Sequence, residues 1–201
     1  TDPIKDRIIS KIINYVKKVI SDIDAIVIED YGKGLITPRL LKPVLSIAKR
    51  HKKIISVDPK EEHLNYYKGV TVITPNNHEA SKAVGFKIND KISLKKAGQI
   101  LLNKFKAKIA IITLGEDGMA VFEYGKPFKK IPTVAQEVYD VSGAGDTVIS
   151  TFTMSLVSGA TAIQAAHIAN CAAGIVVGKV GISVVSEDEL IGRIKEEMLK
   201  K

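Results

Sequence analysis

The chain has 201 residues, 45% hydrophobic and 26% charged, which is typical of one folded domain and not of a disordered segment. Its net charge of +8 comes largely from lysines scattered over helical stretches, whereas nucleic-acid readers concentrate arginines and aromatics in one stripe. The single cysteine, Cys171, cannot form an internal disulfide, and no apolar run is long enough to span a membrane; we therefore expect a cytoplasmic protein without nucleic-acid or membrane partners.

Hydrophobic periodicity predicts helices and strands that alternate along the chain. Short continuous apolar runs are typical of strands covered on both faces, and two alternating segments around Gly125 and Lys126 predict a hairpin. The predicted elements, in chain order, are a helix over 4–20, a strand over 25–28, a helix over 37–51, strands over 54–57 and 70–74, helices over 76–84 and 93–106, a strand over 109–113, the hairpin over 118–131, and helices over 145–158, 161–178 and 187–199.

This alternation predicts an α/β fold with a mostly parallel sheet and helices on both faces. In such folds ligands lie at the carboxyl ends of the strands. Polar segments follow four predicted strands, at 29–34, 58–60, 74–79 and 113–118. We therefore expect these four segments to meet at one edge of the sheet and to form the functional site.

Gly143, Ala144 and Gly145 lie directly before a predicted helix, with Asp146 in its first turn. Small residues let the backbone approach a ligand, and the unpaired N–H groups of a helix start attract anions. A transferring phosphoryl group needs such a site, and Asp146 beside it can accept the proton of an attacking hydroxyl. The alternative is a simple turn with a capping aspartate, but Asp-x-x-Gly-Ala-Gly-Asp is more specific than a bare Gly-x-Gly.

Residues 140–147 resemble the second signature of the ribokinase-like (PfkB) carbohydrate kinases. The resemblance implies that Asp146 is the catalytic base and that Gly143, Ala144 and Gly145 line the anion hole. It also implies that Asp140 helps to hold a monovalent cation such as K⁺.

A second resemblance concerns Asn76-x-x-Glu79, which is similar to the family motif that organises Mg²⁺ near the ATP phosphates. It implies that Asn76 and Glu79 bind Mg²⁺, mostly through water. A capped helix that starts at Pro75 is the alternative for these four residues.

Two further segments are similar to the family's nucleotide-binding stretches. Residues 113–118 resemble the Thr-x-Gly-x-x-Gly segment beside the nucleotide, and 169–174 resemble the helix that packs on the adenine. A strand–turn–strand and tight helix packing are the respective alternatives. The resemblance implies that ATP is bound by Thr113, Gly115, Gly118, Asn170, Gly174 and Asn76.

Within the family, residues 30–34, 58–60 and 177–186 look like the kinase half of bacterial heptose 7-phosphate kinase/ADP-heptose synthases. This implies phosphorylation of the anomeric hydroxyl of D-glycero-D-manno-heptose 7-phosphate, a lipopolysaccharide precursor, with Asp30, Lys33 and Lys60 as substrate residues. The two lysines could equally be surface charge. Another PfkB-type sugar or nucleoside, and a nucleotide-binding fragment without activity, stay open as alternatives.

The resemblance extends from about Ile26 to Leu190, and the family's earlier portion is not found before Ile26. We therefore expect residues 1–201 to form a single ATP-binding, catalytic domain. Its fold is expected to be ribokinase-like, with three α/β/α layers, and with the lid and the first strands absent. We also expect weak or no activity from this polypeptide alone and an exposed sheet edge that favours homo-oligomers.

Overall fold

A six-stranded sheet forms the middle of the molecule in the computed structural model, which describes residues 4–135 and 137–199. The strands lie in sequence order; β1 to β4 are parallel, and β5 and β6 continue the sheet in antiparallel fashion. Their bounds are β1 Ala25–Glu29, β2 Ile54–Asp58, β3 Val72–Ile73, β4 Ile109–Thr113, β5 Met119–Glu123 and β6 Lys129–Ile131.

Helices cover both faces of this sheet. One layer contains the first four helices, the other contains α5 and α6, and α7 packs on α6. The helices are α1 Asp6–Val19, α2 Pro38–Arg50, α3 Asn77–Val84, α4 Lys91–Phe105, α5 Ala144–Val157, α6 Ala162–Val177 and α7 Glu187–Leu199. Within the described residues, no helix combines the length and apolar character needed to cross a membrane.

Strand β4 shows why the core has two halves. Its side chains alternate between the two faces, so Ala110 and Ile112 pack under the α4 layer while Ile109 and Ile111 pack under α5 and α6. All four are buried, which explains why β4 reads as a continuous apolar run. The predicted α/β class, with a mostly parallel sheet between two helical layers, is therefore confirmed.

Strand β3 is shorter than the predicted span of 70–74. It pairs only over Val72 and Ile73, after which Thr74 still donates its N–H to the Val57 carbonyl at 3.0 Å. Pro75 has no N–H to continue the ladder, although its carbonyl accepts the Thr113 N–H at 3.1 Å. The chain therefore leaves the sheet early and begins α3.

Candidate active site

The carboxyl ends of β1 to β4 bring the four predicted polar segments to one edge. Asp30 donates its N–H to the Asp58 carbonyl at 3.2 Å, and Thr74 Oγ1 lies 3.4 Å from Asp58 Oδ1. An isolated parallel bridge joins Asn76 to Thr113. These contacts connect the segments that follow neighbouring strands, as the parallel topology requires.

Helix α5 begins at this edge without a side-chain cap. Gly143 precedes it in the left-handed conformation, with φ of 80°, and its carbonyl accepts both the N–H and the Oγ1 hydroxyl of Thr147, at 2.9 and 2.8 Å. A residue with a Cβ would be strained there. Since no side chain caps this end, the first-turn N–H groups and the positive end of the helix dipole can serve a bound anion.

Asp146, in the first turn of α5, faces the loops after β1 and β2. Its Oδ2 accepts a hydrogen bond of 2.6 Å from the hydroxyl of Tyr31, which also lies 3.4 Å from Glu29 Oε2. On the β2 side, a Cβ built on Gly145 would lie 3.5 Å from Asp58 Oδ2. Three carboxylates, from Glu29, Asp58 and Asp146, therefore converge on the start of α5.

This convergence changes the protonation of the neighbouring acids. Burial, together with the charges of Glu79 and Asp146, raises the pKa of Asp58 from 3.8 to about 7. Burial also raises the pKa of Glu79, and burial followed by the charge of Asp146 raises the pKa of Glu29. The site therefore carries more negative charge than the protein itself neutralises, and a cation would relieve this repulsion.

Glu79 and Asn76 form a capping box at the start of α3. The Asn76 N–H donates to Glu79 Oε2 at 2.9 Å, and the Glu79 N–H donates to Asn76 Oδ1 at 2.9 Å. The capped-helix alternative is thus correct as structure, yet it also holds the Glu79 carboxylate beside the acidic cluster. Among the described residues, no three His, Cys, Asp or Glu side chains group closely enough to enclose a metal. A carboxylate with room for water suits Mg²⁺, which keeps several of its waters.

The raised pKa of Asp58 predicts an unusual dependence of stability on pH. Its carboxyl ionises near pH 4 in the unfolded chain but near 7 in the fold, so the folded state holds an extra proton between these values. Stability should therefore fall as pH rises from 4 to 7. The free energy of unfolding should fall by about 1.4 kcal/mol per pH unit in this range. We expect Asp58→Asn to reduce the total fall between pH 5 and pH 8 by about 1.4 kcal/mol per pH unit, that is, by a few kcal/mol. Urea unfolding at the two pH values measures this.

Glu62→Gln is the control for that experiment, since Glu62 is an exposed carboxylate on the short 3₁₀ helix over Glu61–Tyr66. It should leave the pH dependence of unfolding as in the unsubstituted chain. An Asp58→Asn variant whose stability changes with pH as the parent's does would contradict the assignment.

A cavity of about 530 Å³ lies on the other side of the α5 start. Ala144 and Gly145 line it, so one short segment borders both the cavity and the acidic cluster. The lining includes five of the six predicted nucleotide residues, and Asn76, the sixth, is not among them. These five are Thr113, Gly115, Gly118, Asn170 and Gly174.

Two of the α6 residues that line this cavity, Asn170 and Gly174, also hold its wall. Asn170 is buried, and its Nδ2 donates to the Pro132 carbonyl at 2.7 Å. A Cβ built on Gly174 would lie 3.2 Å from Val134 Cγ2 and 3.3 Å from the Ala135 nitrogen. Gly174 therefore allows the segment after β6 to approach closely, while Ala169 and Ala173 pack with α5, so the tight helix packing of the alternative interpretation is present as well.

Asp140 lies at the loop before α5. Its Oδ1 accepts the Ser142 N–H at 2.8 Å, and hydrogen bonds from Ser142 and from the Gly181 backbone hold the pKa of Asp140 below its usual range. An ionised carboxylate between two loops offers the oxygen ligands that a monovalent cation requires. These residues therefore fit the predicted K⁺ site.

Asp30 lies behind the site and not at its surface. The residue is 8% exposed, and its carboxylate accepts the Gly32 N–H at 2.8 Å and the Tyr67 hydroxyl at 2.5 Å. His63 Nδ1 lies 2.7 Å from the same carboxylate. In this geometry Asp30 holds the turn after β1, and its predicted contact with a substrate stays a prediction.

The two predicted substrate lysines differ in position. The stem of Lys60 packs against the turn after β1, since a Cβ built on Gly32 would lie 3.4 Å from its Cγ. Its charge partly opposes the rise that burial causes in the pKa of Glu79, which places Lys60 among the charges of the site. Lys33 is exposed on the turn itself.

Sequence reasoning assigned no role to several residues of this edge. Tyr31 and Asp58 stand inside segments that it singled out, and their positions just after strands could have marked them. Glu29 is the last residue of β1, so its position at the end of a strand could also have marked it. His63 and Tyr67 lie in and after a short 3₁₀ helix, and nothing in their spacing predicts that they meet Asp30.

Comparisons with known proteins agree with this geometry. The family model described as pfkB family carbohydrate kinase matches residues 9–189. The chain is 41% identical over 188 residues to the bifunctional protein HldE of Wolinella succinogenes, and 43% identical over 189 residues to that of Helicobacter hepaticus. Each alignment covers 94% of this chain but 39% of the relative, so the chain spans about two fifths of the length of these relatives.

Solved structures show the same fold at low identity. Arabidopsis thaliana ribokinase, complexed with ribose and ATP, matches with a TM-score of 0.77 and 18% identity over 97% of this chain and 61% of that one. Escherichia coli phosphofructokinase-2, in complex with potassium, matches with a TM-score of 0.79 and 19% identity over 92% and 61%. The predicted ribokinase-like fold is therefore confirmed.

Proposed function

This chain belongs to the pfkB family of carbohydrate kinases, and from that premise we propose that it forms a single catalytic domain that transfers the terminal phosphoryl group of ATP to a sugar hydroxyl. The favoured acceptor is the anomeric hydroxyl of D-glycero-D-manno-heptose 7-phosphate. The proposal concerns the activity in which this domain takes part, whatever else the natural polypeptide contains.

One observation carries the proposal: the start of α5 borders the cavity on one side and the acidic cluster on the other. Ala144 and Gly145 line the cavity, while the next residue, Asp146, faces Tyr31 and Glu29. ATP in the cavity would present its terminal phosphate to the uncapped end of α5. An acceptor beside Asp146 would then lie on the far side of that phosphate, as an in-line displacement requires.

The chemistry follows from these positions. The backbone N–H groups of the first α5 turn stabilise the charge on the equatorial phosphoryl oxygens. Asp146 accepts the proton of the acceptor hydroxyl as the new P–O bond forms. Mg²⁺ near Glu79, mostly through water, would neutralise charge between the phosphates and the acidic cluster. Asp140 would hold K⁺ on the loop that precedes the anion site.

Three observations support a phosphorylated sugar as the acceptor. Residues 30–34, 58–60 and 177–186 resemble the kinase half of heptose 7-phosphate kinases, and the relatives named HldE align over most of the chain. Lys60 places positive charge at the site, and exposed Lys33 lies on the neighbouring turn. A sugar phosphate would bring an anion that these two lysines can meet.

A panel of acceptors tests the proposal. ADP release in the presence of ATP and Mg²⁺ would be measured with heptose 7-phosphate, ribose, a fructose phosphate and a nucleoside, using the complete natural polypeptide that carries this sequence. We expect kcat/KM to be highest for heptose 7-phosphate, by at least about 10-fold. Preference for a sugar without phosphate would contradict the role of the lysines while leaving phosphoryl transfer intact.

The same assay on the 201 residues alone tests the expected weak activity of this polypeptide. Robust turnover by the 201-residue chain would contradict that expectation. A nucleotide-binding role without catalysis would instead show ATP binding with no ADP release from any acceptor, in the complete polypeptide as well.

A further inference from the structure

The hydroxyl of Tyr31 donates a hydrogen bond to the carboxylate of Asp146, the proposed base, although Tyr31 itself is 59% exposed. It donates to Asp146 Oδ2 at 2.6 Å, a distance typical of a charge-assisted O–H···O bond. Glu29 Oε2 lies 3.4 Å away on the other side. An exposed phenol thus spans from the turn after β1 to the first turn of α5, across the place where an acceptor must bind.

The backbone on either side of Tyr31 is held firmly. Buried Asp30 accepts the Gly32 N–H at 2.8 Å, and Gly32 has a φ of 67°, which a residue with a Cβ rarely adopts. Tyr67, whose hydroxyl donates to Asp30, also accepts the Lys60 N–H at 3.2 Å and so connects this turn to the loop after β2. Because the turn is held, Tyr31 can leave Asp146 by rotating its side chain alone.

A phenol hydroxyl and a sugar hydroxyl make the same demand on a carboxylate. Each donates one hydrogen bond, and a general base must lie within about 2.6–3.2 Å of the hydroxyl it deprotonates. The hydrogen bond to Asp146, with the negative charges of Asp146 and Glu29, raises the pKa of Tyr31 well above its ordinary value. Tyr31 therefore remains a protonated donor at neutral pH and competes with the acceptor, or with a water molecule, for Oδ2 of Asp146.

We propose that Tyr31 is a specificity-determining residue that covers Asp146 until the sugar displaces it. This inference rests on the proposed role of Asp146 as the base. With Tyr31 in place, its hydroxyl competes with water for Oδ2 of Asp146, so ATP hydrolysis should be slower when no sugar is bound. A sugar offers further contacts that compensate for the lost Tyr31–Asp146 hydrogen bond, whereas a single water molecule does not.

Tyr31→Phe tests this proposal in the complete natural polypeptide. The variant keeps the ring and loses the hydroxyl that covers Asp146. A hydrogen bond to a charged group typically shifts an equilibrium by about 10-fold or more. We expect ADP release without sugar to rise by about that factor, KM for the sugar to fall, and kcat to stay within about threefold.

Tyr124→Phe is the matched control. Tyr124 is 55% exposed, and its hydroxyl donates to Asn103 Oδ1 at 2.6 Å on the β5–β6 side of the sheet. It therefore loses a hydrogen bond of the same length at a comparable exposure, although to a neutral amide, and ADP release and KM should stay as in the parent. Thermal unfolding of both variants checks that the fold is kept.

Two outcomes would overturn the proposal. A fall in kcat without any rise in sugar-independent ADP release would mean that Tyr31 holds Asp146 in place. Unchanged kinetics would mean that the contact does not influence the reaction.

The double variant Tyr31→Phe/Asp146→Asn separates this inference from the proposed function. If Asp146 is the base, the double variant loses both sugar transfer and the extra hydrolysis that Tyr31→Phe produces. If Asp146→Asn alone leaves sugar transfer intact, Asp146 is not the base, and the proposal that Tyr31 covers the base is wrong as well. If Asp146→Asn abolishes transfer but Tyr31→Phe has no effect, only the role of Tyr31 is lost.

Discussion

Asp146→Asn is expected to lower kcat by about 10²–10⁴-fold, the usual contribution of a general base. The substitution keeps the size of the side chain, and the amide oxygen can still accept the hydrogen bond that Tyr31 donates to Asp146 in the parent. What the amide cannot do is take a proton from the acceptor hydroxyl. Turnover measured by ADP release should therefore fall, while ATP affinity from calorimetry stays within about threefold.

Asp188→Asn is the matched control for this substitution. Asp188 lies in the first turn of α7, just as Asp146 lies in the first turn of α5. Each carboxylate is stabilised by the positive end of its helix dipole. The control should keep its turnover. Should Asp146→Asn retain the parent kcat, or lose ATP binding in parallel with turnover, Asp146 would not be the base.

Gly118→Ala is expected to destabilise the fold by about 3 kcal/mol or more, because strain and overpacking add. Gly118 has φ of 85° and ψ of −123°, a conformation that is essentially restricted to glycine. A Cβ there would lie 2.1 Å from the Ile131 carbonyl oxygen and 2.6 Å from the Thr133 nitrogen. Because both obstacles are backbone atoms, the end of β6 would have to move, and Tm should fall by roughly 6–12 °C.

Gly115→Ala separates the two causes. Gly115 also has a positive φ, of 61°, but nothing lies within 4 Å of a Cβ built on it. Gly115→Ala should therefore lower the free energy of unfolding only by the cost of the left-handed conformation, about 1–2 kcal/mol. Equal losses in the two variants, measured by urea unfolding, would show that the contact with the Ile131 and Thr133 backbone does not contribute.

These two glycines illustrate how far the sequence alone reaches. Their resemblance to the family's Thr-x-Gly-x-x-Gly segment predicted that both lie beside the nucleotide, and both line the cavity. The spacing could not indicate that Gly118 is confined by the strand that follows while Gly115 is open. That difference depends on how closely the backbone of residues 131–133 passes Gly118 at the end of the hairpin.

Asp30 illustrates the opposite case. The resemblance of residues 30–34 to heptose kinases implied contact with a substrate, and in the structure the carboxylate of Asp30 is buried and bonded to Tyr67 and His63. These partners lie 33 and 37 residues away, and they reach Asp30 because a short 3₁₀ helix folds back beneath the turn. The sequence singled out Asp30, but only the tertiary structure shows that its carboxylate holds the turn through Tyr67 and His63.

The sequence by itself determined the α/β alternation, the mostly parallel sheet and the edge where the polar segments meet. Hydrophobic periodicity is local, and a helix between two strands favours their parallel pairing. The anion site before α5 was also local, since a glycine-rich turn and a helix start are contiguous in the chain. Only the tertiary structure decided which side chains meet Asp146. The hydroxyl of Tyr31 reaches it from 115 residues away, and the charges of Asp58 and Glu29 act on the same site. Such contacts depend on distances across the sheet edge, which no spacing within the chain encodes.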